Sequence, residues 1–251
     1  SFDCKTLLKL PNIKAIWLDC LLKADNLEVL TELQNLRRLS LGVFELKETE
    51  IFRASNLKNL KELIIGETRT KAVNLQYLEN YNDLNYLIIN GHTKNIEILG
   101  KLTDLEYLGL NSISKVKLDF VNKLKSLKSL HFVLGGRENL DEIEENEIET
   151  LEIIRVRGFN SFKNVSNFKK LKTLLIEDQI QLTELHFDKE SRTLKDFKII
   201  NCKTFNSLTG LEKLSGLNQL RISKTDINFE LFIKQQFPKS LDILAFYTTK
   251  A

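Results

Sequence analysis

The first half of the chain repeats one pattern, Leu-x-x-Leu-x-Leu with Ile allowed, as LRRLSL at 36–41, LKELII at 60–65, LNYLII at 84–89 and LEYLGL at 105–110. Apolar residues at every second position are typical of a short strand with one buried face. One such strand cannot bury its apolar face alone, but parallel copies stacked side by side bury it in a continuous column. The repetition therefore predicts a parallel sheet built from successive copies.

The same pattern, with Phe also allowed, continues through the second half, for example as LKTLLI at 171–176 and LNQLRI at 217–222. Its copies begin at Ile13, Leu36, Leu60, Leu84, Leu105, Leu127, Leu151, Leu171, Leu194, Leu217 and Leu241. About 16 residues separate one strand from the next. These connecting segments, here called returns, must bring the chain back to the side of the sheet where the next strand begins. Several returns have the apolar spacing of short helices.

This pattern resembles that of the leucine-rich-repeat family, and the resemblance covers essentially the whole chain. It implies an α/β fold: a right-handed, horseshoe-shaped solenoid of about eleven repeats, with a concave parallel sheet and convex short helices or 3₁₀ turns. We expect a single domain over residues 1–251. Its parts would be a short N-terminal edge at 1–12, repeats at 13–246 and a tail at 247–251.

The chain departs from the family at the ninth position of the repeat, where Asn or Cys generally bonds the backbone of the neighbouring turn. Only Cys202 matches. We therefore expect turns without the Asn ladder. The other residues at this position are Leu21, Phe44, Thr68, His92, Ile113, Gly135, Phe159, Gln179, Thr225 and Thr249.

The sequence predicts a helix in each of two segments outside the strands. The acidic run ENLDEIEENEIE at 138–149 has apolar residues at roughly helical spacing, so we expect an amphipathic return helix with an acidic outer face. That face would be either solvated or a docking surface for a basic partner or a cation. Residues 228–237 are predicted to form a final convex helix that caps the last repeat. The alternative is that a partner covers an exposed end of the repeats.

Charge and cysteine content restrict the function classes. The 37 basic and 34 acidic residues leave a net charge of +3, too even to indicate nucleic acid or an anionic membrane. The three cysteines have no metal-ligand spacing and read as free thiols in a reducing compartment. No apolar run approaches the roughly 20 residues of a membrane span. Together with Lys-, Asn- and Ile-rich usage, this favours a cytoplasmic bacterial protein.

No catalytic motif is recognisable. The pair Gly135-Gly136 lacks the Lys and Ser or Thr of a phosphate loop, so it reads as a turn. The histidines, His92, His131 and His186, lie in different repeats. We therefore expect no enzyme, no cofactor and no metal site.

The third, fifth and seventh positions of each copy are expected to point away from the core, on the concave face. Four of these residues, Ile64, Tyr86, Ile88 and Tyr107, would form an apolar and aromatic patch on three adjacent strands, a composition typical of binding hot spots. The same face would turn basic through Arg155, Arg157, Lys198 and Arg221. The full set of candidate partner-binding residues is Trp17, Arg38, Glu62, Ile64, Tyr86, Ile88, Tyr107, His131, Arg155, Arg157, Lys198 and Arg221.

Two alternatives to this placement stay open. A loop or terminus could cover the patch, or the register could slip by one residue and bury these side chains. The register is least certain at 151–194, where LTELHF at 182–187 repeats the strand pattern between two strands.

The leading hypothesis is a non-catalytic scaffold that binds a partner protein on its concave face, such as a bacterial immunity protein, an inhibitor or an adaptor. The alternative is a solenoid that binds nucleic acid through its basic C-terminal half. That alternative lacks aromatic residues beside the basic column for base stacking. Partner identity and oligomeric state stay undetermined at this point.

Overall fold

A computed structural model describes residues 1–247, and its backbone divides into two compact units, Ser1–Leu127 and Lys128–Ala251. The strands of the first unit are β1 (Phe2–Asp3), β2 (Ala15–Leu21), β3 (Ala24–Asp25), β4 (Arg38–Val43), β5 (Glu62–Ile65), β6 (Tyr86–Asn90) and β7 (Tyr107–Asn111). Its 3₁₀ helices are Cys4–Lys9, Leu27–Glu32, Ile51–Arg53, Asn56–Asn59, Leu75–Asn80, Ile96–Lys101 and Asp119–Lys123.

Five strands of the first unit form a parallel sheet in the order β2-β4-β5-β6-β7. Equivalent repeat positions are paired, so that Leu39 lies beside Leu63, Leu63 beside Leu87, and Leu87 beside Leu108. These leucines are buried, and the 3₁₀ helices of successive returns pack on one another. Strands β1 and β3 form a separate two-stranded parallel sheet. The predicted arrangement of parallel strands and 3₁₀ returns is confirmed in this unit.

The strands of the second unit are β8 (Ser129–Val133), β9 (Thr150–Ile154), β10 (Thr173–Glu177), β11 (Glu184–His186), β12 (Asp196–Ile200), β13 (Ser207–Thr209), β14 (Gln219–Ser223) and β15 (Ile243–Tyr247). Its helices are two 3₁₀ turns, Val165–Asn167 and Leu211–Lys213, and one α-helical turn, α1 (Phe229–Phe232).

Six strands of the second unit form a parallel sheet in the order β8-β9-β10-β12-β14-β15. Here too equivalent positions pair, with Leu174 beside Phe197 and Phe197 beside Leu220. The segment LTELHF does form a strand, β11, but it pairs with β13 in a separate two-stranded parallel sheet. It therefore belongs to the return side of the unit and adds no strand to the main sheet.

The register predicted for the copy at Leu151 is wrong by three residues. In β9, Leu151 pairs with Leu174 and Ile153 with Ile176, so this copy begins at Ile148. Leu151 and Ile153 are both fully buried, because they occupy the fourth and sixth positions. The strand ends at Ile154, and the predicted fifth and seventh positions, Arg155 and Arg157, lie beyond it.

Backbone conformation supports the corrected register independently. The eighth position of most repeats is in the left-handed region, which turns the chain out of the strand. Counting from Ile148 places Arg155, with φ of 51°, at that position. The other eighth-position residues with positive φ are Cys20, Gly91, Ser112, Leu134, Asp178, Asn201 and Lys224.

Two predicted helices are corrected. Residues 138–149 contain no helix, although Leu140, Ile143 and Ile148 are buried there. Residues 228–237 form only the turn Phe229–Phe232. Short returns leave too few residues to propagate a helix, whose first turn is costly to form. Of the predicted tail 247–251, only Tyr247 is among the described residues, and Thr249 lies outside them.

Three other side chains take the place of the Asn ladder. His92 bonds the carbonyl of Gly66, Gln179 Nε2 donates to the carbonyl of Ile153, and Cys202 Sγ donates to that of Ile176. Each carbonyl lies 26 residues earlier, so each bond joins adjacent repeats. All three side chains are buried, and the sulfur bond is the longest at 3.8 Å. The ladder is thus partly rebuilt from His, Gln and Cys.

The corrected register has a direct test in stability. We expect Ile153→Ala to lower the free energy of unfolding by about 2–5 kcal/mol, because it opens a cavity in the core. Arg155→Ala should cost under about 1 kcal/mol, since that guanidinium is exposed. Urea unfolding followed by circular dichroism measures both. A small cost for both substitutions would restore Leu151 as the start of the repeat, because Ile153 and Arg155 would then occupy the outward third and fifth positions.

The histidine of the ladder makes stability depend on pH. His92 accepts a bond from the Val73 N–H at Nδ1 and donates from Nε2 to the Gly66 carbonyl, so the folded state needs the neutral ring. Burial holds the pKa of His92 below its ordinary value of 6.5. As the pH falls below about 6.5, His92 is therefore protonated in the unfolded chain while it stays neutral in the folded one. The free energy of unfolding decreases as a result.

We expect His92→Gln to flatten this loss between about pH 6.5 and 5, by up to about 1.4 kcal/mol per pH unit. The exposed His186→Gln is the matched control. An unchanged slope in His92→Gln would show that His92 is not held neutral in the fold.

Candidate partner-binding faces

Two aligned columns of side chains lie on the outward face of the first unit. Pairing of β2, β4, β5, β6 and β7 sets equivalent residues side by side on adjacent strands. The third-position column is Ala15, Arg38, Glu62, Tyr86 and Tyr107, and the fifth-position column is Trp17, Ser40, Ile64, Ile88 and Gly109. The register alternative of a one-residue slip is therefore wrong for these strands, since their leucines are the buried residues.

Four half-buried side chains of this face, Ile64, Tyr86, Ile88 and Tyr107, form one patch, which we call the tyrosine patch. The rings of Tyr86 and Tyr107 stack with centroids 4.2 Å apart and planes 14° apart. Gly109 permits this packing, because a Cβ there would lie 3.0 Å from Ile88 Cγ1 and 3.5 Å from Tyr107 Cε1. The rings are thus fixed before any partner arrives.

Polar contacts border the tyrosine patch on the N-terminal side. Arg38 Nε lies 3.0 Å from Glu62 Oε1 in the third-position column, and Ser40 Oγ donates to Asp19 Oδ1 at 2.7 Å. Ser40 is buried although it faces outward. Trp17 follows on β2, and its side chain is 60% exposed. Two large apolar side chains, Trp17 and Ile64, therefore flank a small hydrogen-bonded one.

The outward face of the second unit carries polar and charged side-chain pairs. His131 Nδ1 lies 2.9 Å from Glu152 Oε2 across β8 and β9, and Lys198 Nζ lies 2.8 Å from Asp196 Oδ2 within β12. Burial lowers the pKa of His131, and the carboxylate of Glu152 opposes that shift. The face is therefore of mixed charge.

The predicted basic column is not assembled. Arg155 lies beyond its strand and binds Asp178 Oδ2 through both Nε at 3.1 Å and Nη2 at 2.6 Å. This bond, with that from Asn201, holds the pKa of Asp178 below its ordinary value. Arg157 lies in the return, paired with Gly136. Only Lys198 and Arg221 of the four occupy the face, and Arg221 is exposed.

Comparison with solved structures identifies the fold. No family model matches the sequence, and no curated protein matches it either. An internalin from Listeria monocytogenes superposes with a TM-score of 0.51 at 19% identity, covering 91% of this chain and 72% of its own. Sequence repetition, parallel sheets and this superposition agree. The chain has the leucine-rich-repeat fold.

Two longer structures carry the same repeat. TLR13, solved with ssRNA13, gives a TM-score of 0.52 at 18% identity over 87% of this chain. The Toll–Spätzle complex of Drosophila gives 0.50 at 13% identity over 96%. This chain spans 37% of the former and 44% of the latter. At these identities the likeness is one of fold.

Sequence reasoning missed Glu152 and Asp178, the acidic partners of His131 and Arg155. Placing the start of the repeat at Leu151 put Glu152 at the second position, before the strand and outside the outward columns. A usable signal was the spacing, because a start at Ile148 gives steps of 21 residues from Leu127 and 23 to Leu171, against 24 and 20 for Leu151. The more even steps favour the observed register of this leucine-rich repeat.

Other chemistry is sparse in the described part of the chain. Cys4 and Cys202 are buried free thiols, and burial raises the pKa of each to about 11, while Cys20 is free and exposed. Within residues 1–247, no three His, Cys, Asp or Glu side chains cluster around a possible metal position. Over the same residues, no helix has the length and apolar character to cross a membrane.

The exposure of Trp17 has a spectroscopic test, since it is the chain's one tryptophan. We expect acrylamide to quench its fluorescence nearly as strongly in the folded protein as in urea. Emission should stay at long wavelength in both states. A blue-shifted, weakly quenched emission would mean that Trp17 is packed against another part of the protein, and that the face of β2 is covered.

Proposed function

We propose that this leucine-rich-repeat chain is a non-catalytic scaffold that captures a partner protein on the tyrosine patch of its first unit. The observation that carries the proposal is the stacked Tyr86–Tyr107 pair, flanked by Ile64 and Ile88 on an outward sheet face. An apolar and aromatic cluster of this kind on a sheet surface is typical of protein-binding sites.

The patch is suited to binding because little must be ordered on association. Each tyrosine ring is already held by the other, so a partner does not bear the full entropy cost of fixing it. The Arg38–Glu62 pair gives one side of the patch a polar border that is electrically balanced. A partner with an apolar protrusion and a hydrogen-bonding rim matches this arrangement.

The likeness to solved structures agrees with a protein partner. A chain of the Toll–Spätzle complex shares this fold, and that structure is by its name a complex of two partners. We extend the proposal to an inhibitor, immunity protein or adaptor of a bacterial cytoplasm. Free thiols without disulfide pairing support a reducing compartment, and the Listeria internalin supports a bacterial source only by fold.

Nucleic-acid binding is the second candidate, since TLR13 was solved with an RNA and Arg221 is exposed on the second unit. The electrostatics disfavour it. Arg155 and Lys198 are ion-paired with Asp178 and Asp196, so these two cations are not free to neutralise phosphates. The strands β6 and β7, which carry the Tyr86–Tyr107 stack, contain none of these residues.

Site-specific photocrosslinking tests the proposal in cell extract. The photoreactive residue p-benzoylphenylalanine would replace Ile64 or Tyr107 in the patch, and Lys125 or Lys239 as exposed controls in the returns. We expect one protein to be captured from both patch positions and from neither control. Mass spectrometry then identifies it.

Affinity for the captured protein is then measured with purified components. Tyr86→Ala combined with Ile88→Ala should weaken binding by roughly a hundredfold or more, as loss of two hot-spot residues does. Lys198→Ala combined with Arg221→Ala, on the second unit, is the matched control and should change it little. Equal losses would contradict the patch. Capture of RNA with a steep salt dependence, lost in the Lys198 and Arg221 variant, would establish the second candidate.

A further inference from the structure

The small sheet of β11 and β13 has a free edge. In a parallel ladder, alternate residues direct their N–H and C=O groups to opposite neighbours. Ser207 N donates to Thr183 O and Phe187 N to Thr209 O, which assigns the odd-numbered residues of β11 to β13. The backbone groups of Glu184 and His186 therefore point the other way. Within the described residues they have no hydrogen-bond partner.

Residues 160–163, in the return of the preceding repeat, lie opposite this free edge but form no backbone hydrogen bond with it. Earlier in the unit, adjacent returns are bonded directly: Arg137 N donates to Arg157 O, and Asn160 N donates to Glu138 O. On its other edge, β11 is bonded to β13. Between 160–163 and 183–186 no such bond occurs, and a cavity of about 410 Å³ separates the two segments.

The gap continues along the chain as a groove. A second cavity, of about 330 Å³, lies between 165–171 and 187–194, and Asp188 lines both. Volumes of this size are those of ligand clefts. The floor of the first cavity contains Phe162 and Leu185, each only 2% exposed. The groove thus combines a strand edge, an apolar floor and access from solvent.

The charged side chains at the opening of the first cavity indicate which kind of peptide would bind there. Glu184 and Asp188 are exposed on the β11 wall, and Lys163 is exposed on the opposite wall. The β11 wall of the first cavity is therefore acidic, whereas the second cavity is lined by side chains of both charges, Lys169, Lys189, Glu190 and Arg192. His186 turns its Nδ1 to Thr209 Oγ1 at 2.8 Å, away from the gap.

We propose that the groove binds an extended peptide segment of a partner protein, which adds to β11 as a new strand. Its backbone bonds the N–H and C=O groups of Glu184 and His186, one apolar side chain enters the cavity above Phe162 and Leu185, and flanking Lys or Arg residues pair with Glu184 and Asp188. Addition of a strand to a free sheet edge is an established mode of peptide recognition. The site lies in the second unit and does not depend on the tyrosine patch.

Peptides of defined sequence test the proposal on the full chain. The probes are five fluorescein-labelled pentapeptides, Thr-Lys-x-Lys-Thr, in which x is Leu, Ile, Phe, Tyr or Trp, so that both lysines lie on the side of the strand opposite to x. We expect at least one to bind saturably by fluorescence anisotropy below about 2 mM, the range of a short peptide. The same peptide with N-methylated backbone amides should bind at least about fivefold less tightly, because its side chains are kept but its donors are lost.

Amide hydrogen exchange followed by NMR locates the peptide. The amides of Glu184 and His186 should exchange freely in the unliganded protein and become protected when the peptide is bound. The amide of Phe187 is bonded to Thr209 and serves as an internal standard protected in both states.

Substitutions at Glu184 distinguish the contribution of backbone hydrogen bonds to peptide binding from that of charge. Glu184→Pro removes an N–H that β13 does not use, so the fold is kept and binding is lost. Glu184→Lys should favour a Thr-Glu-x-Glu-Thr probe over the lysine peptide, whereas the exposed Glu212→Lys should not. Absence of binding by all five peptides, equal affinity for the N-methylated peptide, or protection elsewhere without change at Glu184 and His186 would each overturn the proposal. None of these results depends on the Tyr86 and Ile88 variants.

Discussion

Parallel pairing of equivalent repeat positions is the constraint on which the rest of the structure depends. When Leu63 lies beside Leu39 and Leu87, every fourth-position side chain stacks on its neighbours, and the sixth-position side chains stack likewise. A single strand exposes these groups, so its burial requires the next repeat. The same register determines which residues face outward, because alternate side chains of a strand point to opposite sides of the sheet. The core and the outward face are thus two consequences of one alignment.

The turn that follows each strand is held by the same alignment. At the eighth position the chain adopts a left-handed conformation in repeat after repeat, and the ninth-position side chain can reach the carbonyl of the preceding repeat. Asn is not required for that bond, since the ring of His92, the amide of Gln179 and the thiol of Cys202 each reach the same kind of carbonyl. Other repeats place apolar residues such as Ile113 there and bury them. Adjacent repeats can therefore be joined either by a hydrogen bond or by packing.

The periodic part of the chain could be predicted from sequence, and the aperiodic part could not. The patch of Ile64, Tyr86, Ile88 and Tyr107 lies on outward positions as predicted, because four neighbouring copies have unambiguous leucines. Arg155 and Arg157 were misplaced because Ile148, Leu151 and Ile154 offer two frames, and burial of Ile153 decides between them only in three dimensions. The acidic segment 138–149 has helical spacing, but its length and packing do not leave room for a helix. Ion pairs such as Arg155–Asp178 join residues of different repeats and have no local signal.

The central claim, that the register exposes Tyr86 and Ile88 while it buries their neighbours, is tested most directly by cysteine accessibility along β6. Single cysteines at 86 to 90 would be introduced in a Cys20→Ser background, where the remaining thiols are buried. The rate of labelling by a water-soluble maleimide should alternate, fast at 86, 88 and 90 and slow at 87 and 89. Fast labelling at 87 and 89 with protection at 86 and 88 would contradict the register, and with it the tyrosine patch.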